Sequence, residues 1–125
     1  MPSPAEDNDR ILAEARAALV RNQAGGRRVA TIGKRSAQIR RSHQFAEFRP
    51  YWLEEMLHPA DLAGYKQLSA ASPTPIAAGE TECRLSEFVR MLDEGGLDWV
   101  QPDPGRCGIS TMLAVGRAAG QRFKR

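Results

Sequence analysis

The spacing of apolar residues changes several times along the chain, and each change predicts a new element. Residues 9–22, DRILAEARAALVRN, set Leu12, Ala15 and Leu19 at helical spacing in an alanine-rich segment, and AlaGlyGly at 24–26 stops that helix. RRVATIG (27–33) reads as a short strand. SAQIRRSHQFAEF (36–48) reads as a second helix with a ragged stripe of Ile39, His43, Phe45 and Phe48, broken by Pro50. YWLEE (51–55) is a strand. PADLAGYKQLSAA (59–71) is a helix capped by Asp61, with Leu62, Tyr65 and Leu68 on one face. PIAAG (75–79) is a short buried strand, and LSEFVRML (85–92) is the plainest helix, with Leu85, Phe88, Val89 and Leu92 at i, i+3, i+4 and i+7. LDWVQP (97–102) is a strand closed by Pro102, and STMLAVGRAA (110–119) is a helix burying Met112, Val115 and Ala119.

Strands therefore alternate with helices of about ten residues through short links, which argues for βαβ units and a parallel sheet. Apolar runs such as PIAAG and LDWV suit parallel strands covered by helices. The expected fold class is α/β: a partial TIM (β/α) barrel of about four βα units in one domain spanning residues 1–125. A full barrel needs about 250 residues, so four units make half of one.

Composition changes this picture little. The chain is 42% hydrophobic and 26% charged, ordinary for a soluble globular protein. No apolar run approaches the ~20 residues that span a bilayer. The polar, acidic start MPSPAEDNDR has no secretion-signal pattern, and Cys83 and Cys107 form no CxxC, so reduced thiols in a cytoplasmic protein are expected. Charge is less even. From Arg21 to Arg41, both included, the chain carries seven basic residues and no acid. Such a run can contact nucleic acid, but no aromatic side chains interleave with it for stacking, which favours a solvated face.

The chemistry lies in the acids. Glu54, Glu80 and Asp103 follow three successive strands, 26 and 23 residues apart. In a parallel sheet or barrel these strand ends share one edge, where active sites assemble. Three carboxylates there repel unless a cation sits among them, and hard oxygens with open water positions suit Mg²⁺. The bland alternative is that polar residues mark where strands meet water. His58, just past Glu54 and Glu55, reads first as a solvated loop residue and second as a base. His43 reads as structural, and Trp52 and Trp99 as packing. Neither cysteine has a histidine at zinc spacing.

Three stretches, YWLEEMLHPADLAGYKQL, TPIAAGE and LDWVQPDPGRCGIS, give residues from about Phe45 to Gly108 a close resemblance to the mandelate racemase and muconate lactonizing enzyme group of the enolase superfamily. That resemblance implies a TIM-type barrel that binds Mg²⁺ through acids at successive strand ends. The metal would hold a substrate carboxylate and stabilise the enediolate left by proton abstraction beside it. It makes Glu54 and Glu80 metal ligands, Glu55 an unligated neighbour, and Asp103 the acid that orients a histidine base on a following strand. The GlyGlu pair at 79–80 favours the racemase-like branch, and GETE with GRCG is similar to its acid-sugar dehydratases, so the implied partner is a carboxylate-bearing small molecule such as an acid sugar.

Several departures accompany the resemblance. The family's other metal ligand is expected one unit upstream, where Arg28 stands. Catalytic lysines of an earlier strand and the histidine of a later one have no counterpart, and a glycine pair after the Asp103 loop is the single Gly108. The expectation is a truncated or degenerate member, diverged over 1–44 and family-like over 45–120, with little activity as an isolated chain. The alternatives are a non-catalytic fragment that self-associates or pairs with a partner and, more weakly, a basic nucleic-acid-binding module.

Overall fold

The computed structural model describes residues 28–30 and 34–122; the helix expected at 9–22 lies outside them. Four strands form a parallel sheet in chain order: β1 (Arg28–Ala30), β2 (Trp52–Glu54), β3 (Ile76–Ala78) and β4 (Trp99–Val100). Between them run α1 (Arg35–Phe45) with a 3₁₀ turn at Ala46–Phe48, α2 (Leu62–Ala71) and α3 (Leu85–Asp93). After β4 come a short α4 (Pro104–Cys107) and α5 (Ile109–Gln121). The α/β class, the parallel strands and the partial-barrel reading all hold.

Helices cover one face of the sheet. Leu53 from β2 and Ile76 and Ala78 from β3 meet Phe45, Met56, Leu57, Tyr65, Leu68, Met91 and Leu97 in one buried cluster. Each such large side chain contributes roughly 1.5–3 kcal/mol by leaving water. Tyr65 is buried with both hydroxyl functions used: it donates to the Leu57 carbonyl at 2.7 Å and accepts from the Leu57 N–H at 3.3 Å. Burial pushes its phenol up. Side chains alternate across a strand, so Trp52, Glu54, Ala77 and Trp99 face the other way. The two indoles touch there, with centroids 5.2 Å apart, reaching across the small Ala77.

Three departures from the periodicity stand out. In α3 the buried residues are Phe88, Met91 and Leu92, while Leu85, in the first turn, is exposed. In α1 the buried residues are Gln38, Ser42 and Phe45, polar residues that a hydrophobic stripe does not register. His43 is exposed, and Ser42 donates its hydroxyl to the Ile39 carbonyl at 2.7 Å. The third is α4, too short to show a period.

Asp61 caps α2 as expected, accepting from Gly64 N–H at 3.0 Å. It also pairs with Arg35, whose Nε donates to Oδ2 at 2.7 Å, so the start of α1 is tied to the start of α2. A Cβ on Gly64 would come within 2.2 Å of Asp61 Oδ2, so glycine is required for this approach. Arg35 belongs to the basic run, and its charge is taken up by this exposed ion pair. Asp98 fixes the β3–β4 register: its carboxylate accepts from Ile76 N–H at 3.0 Å and its own N–H donates to the Ile76 carbonyl.

Candidate metal centre at the strand ends

The C-terminal ends of β2, β3 and β4 share one edge because all three strands run parallel. Glu54 is the last residue of β2, level with Ala77 of β3, and is only 6% exposed. Trp52, two residues earlier on the same face, donates its indole N–H to Glu54 Oε2 at 3.2 Å. A carboxylate offers several acceptor sites, enough to receive an indole and still meet a cation on the sheet face away from the helices.

Glu55, expected as an unligated neighbour of Glu54, has hydrogen-bond partners of its own. Its N–H continues the ladder to the Ala77 carbonyl at 3.0 Å, and its backbone then turns left-handed at φ +50°. That turn keeps the side chain inside, where Oε1 accepts from Gly79 N–H at 2.7 Å and Glu80 N–H at 3.3 Å. Burial pushes the Glu55 carboxyl above the usual range, with the two backbone donors opposing it. Gly79 has φ +123°, and a Cβ there would meet Phe88 at 3.1 Å and Gln101 N at 3.4 Å, so glycine is needed where β3 ends. Glu80 follows, exposed, on the turn that Glu55 holds.

Asp103 ends the β4 segment but lies on the surface, accepting from Gly105 N–H at 2.8 Å as the cap of α4. Gln101, between β4 and Asp103, keeps the ladder through its N–H to the Ala78 carbonyl, and its side-chain oxygen is buried without a hydrogen-bond partner among the described residues.

Register also corrects the upstream position. Parallel pairing sets Arg28 beside Trp52 and Ala30 beside Glu54, so Ala30 rather than Arg28 is level with the first ligand candidate. Neither is an acid. Among the described residues no three His, Cys, Asp or Glu side chains group closely enough to hold a metal by themselves. The donor chemistry available is two carboxylates on neighbouring strand ends, which fits Mg²⁺ when water fills the remaining positions.

His58 lies apart from these acids. Its Nδ1 accepts from Ala60 N–H at 3.2 Å, and it lines a cavity of about 330 Å³ with Glu82, Glu87 and Arg90. Cys83 and Cys107 are free thiols. Among the described residues no helix is long and apolar enough to cross a membrane.

Comparison with known proteins agrees with this geometry. The family described as enolase C-terminal domain-like matches residues 5–122. L-talarate/galactarate dehydratase of Salmonella typhimurium is 38% identical over 82 residues, 65% of this chain and 21% of that protein. The crystal structure of that dehydratase with Mg and L-lyxarohydroxamate superposes with a TM-score of 0.79 at 31% identity, covering 99% of this chain and 32% of that one. A mandelate racemase/muconate lactonizing enzyme from Polaromonas sp. JS666 superposes with a TM-score of 0.77 at 26% identity, over 99% of this chain and 35% of that one. The chain thus spans about a third of the length of these structures. With its parallel βα units and acid-tipped strands, it belongs to the mandelate racemase/muconate lactonizing enzyme group of the enolase superfamily.

Proposed function

We propose that these residues carry part of an acid-sugar dehydratase-type site, in which Glu54 and Glu80 hold a divalent cation at the strand ends. The carrying observation is the buried Glu54 carboxylate, steadied by Trp52 on the open sheet face and one strand from Glu80. Bound Mg²⁺ would polarise a substrate carboxylate and so acidify the C–H beside it. The chain's own contribution is positional: Trp52 holds Glu54, and Asp103 stands one strand further, where it would orient a base. With Ala30 where a third acid would stand, affinity is weak and water completes the shell. The 125-residue chain is expected to turn over no acid sugar, and appreciable turnover of a sugar-acid panel with Mg²⁺ would refute that. L-Talarate and galactarate head the panel because the similar dehydratase is named for them.

Thermal melting with and without Mg²⁺ tests the binding. At tenfold excess over Kd the cation adds about 1.4 kcal/mol, a rise of roughly 4–8 °C for a domain of this size. Glu80→Gln should remove the rise. If Glu80→Gln melts with an unchanged Mg²⁺ response, the assignment fails.

A further inference from the structure

Glu54 and Glu80 differ in how they are held. Glu54 ends a strand, inside the sheet, whereas Glu80 is an exposed residue on a turn, two residues past the end of β3. A ligand on a free turn binds a cation weakly, because ordering the turn subtracts from the binding. Glu55 is what orders this turn. Two successive backbone N–H groups, Gly79 and Glu80, converge on one carboxylate oxygen at 2.7 and 3.3 Å. A non-glycine residue at φ +50° is a costly backbone state, retained where the surroundings fix it. Here the left-handed turn sits just past β2, and the Glu55 side chain crosses from it to the end of β3. Gly79, at a φ of +123° that favours glycine and with little room for a Cβ, presents its amide and that of Glu80 to the same oxygen.

We propose that Glu55 is a positioning residue for the metal centre: by holding the Gly79 and Glu80 amides it sets the direction in which the Glu80 carboxylate leaves the chain. The inference rests on the reading of Glu80 as a ligand. It assigns the second acid of the GluGlu pair a task through hydrogen bonding rather than charge, since its acceptor oxygen and its reach do the work.

Mn²⁺ binding to the full 125-residue chain, followed by the loss of the free-ion EPR signal, tests it with four variants. Glu80→Gln should abolish binding, and if it binds as wild type the ligand reading itself falls. Glu55→Leu removes the acceptor and should weaken binding about 10–100-fold, the usual cost of removing a group that orients a ligand. Glu55→Asp keeps the charge but is one methylene too short, and should weaken binding similarly. Glu55→Gln keeps a carbonyl oxygen at the same reach and should recover the affinity to within about threefold, an amide oxygen being able to accept both N–H groups. Melting and circular dichroism confirm that each variant is folded. A purely structural role lowers the melting temperature of Glu55→Leu and Glu55→Asp and leaves Mn²⁺ affinity unchanged. That result, with Glu80→Gln inactive in binding, overturns the proposal alone. So does a Glu55→Gln protein as weak as Glu55→Asp, because an acceptor oxygen at the right reach would then not suffice. Should Glu55→Leu fail to fold, the contrast between Asp and Gln at position 55 still decides.

Discussion

β2 and β4 look alike in sequence: each is a tryptophan strand that runs to an acid and then to a proline-containing loop. In the folded chain their ends behave oppositely. Past β2 the backbone turns left-handed at Glu55 and stays inside, with Met56 and Leu57 in the core. Past β4 it runs through Pro102 to the surface, where Asp103 caps α4. The acids inherit these paths. Glu54 and Glu55 are buried and wired to an indole and two amides, and Asp103 is exposed on a helix end. The path of the loop beyond a strand, more than the strand itself, decides whether the terminal acid belongs to the interior.

Mutations at the two ends should separate them further. The largest effect is expected on the β2 side, where Leu53 is fully buried: Leu53→Ala should cost about 3 kcal/mol in urea unfolding. A loss below about 1 kcal/mol would mean that the β2 side is no better packed than β4. Gly64→Ala, which drives a methyl group into Asp61 at the start of α2, should cost about 1–3 kcal/mol, and the double variant with Asp61→Ala should recover part of it. On the β4 side, Asp103→Ala removes only a cap and should cost about 1 kcal/mol.

Acid sensitivity is the smallest effect. Asp61 is held below the usual carboxylate range by Arg35, Glu87 by the Cys83 and Arg84 amides, Asp93 by Arg122 and Glu94 by Arg90. Depressed acids stabilise the fold above their unfolded-state values, and that stability goes as pH falls through the lower folded values. Melting temperature should therefore drop between about pH 5 and pH 3, less steeply in about 1 M salt, since these pairs are exposed. Burial raises Glu55 and Glu82, which act in the opposite sense: their ionisation costs stability as pH rises. A melting curve flat from about pH 6 to pH 3 would show that these two groups cancel the ion pairs.

Legibility in the sequence follows the same division. Strands and helices from Trp52 onward, the short α4 apart, are readable from their apolar runs and periods, α1 shows only a ragged stripe, and Asp61 is readable as a cap because capping is local. Spacing carries Glu54, Glu80 and Asp103 to three strand ends, and the resemblance implies their roles. Contacts between units are not readable. No local pattern announces that Arg35 reaches Asp61, that Asp98 locks the β3–β4 register, or that Glu55 crosses to Gly79. One signal is available: GluGlu before a core pair, with a GlyGlu one unit later, offers a buried acid beside an amide free of side-chain bulk. Leu85 misleads because a residue in a helix's first turn can share the apolar period and still be exposed.

Strand order that equals chain order has a consequence for how the molecule forms. Each strand needs only the strand one βα unit before it, so its loop-closure entropy stays near the minimum that a parallel sheet allows. No strand must wait for a distant segment. As the chain leaves the ribosome, β2 can settle against β1 before β3 exists, and β3 then brings the Ala77 carbonyl and the Gly79 and Glu80 amides that fix Glu55.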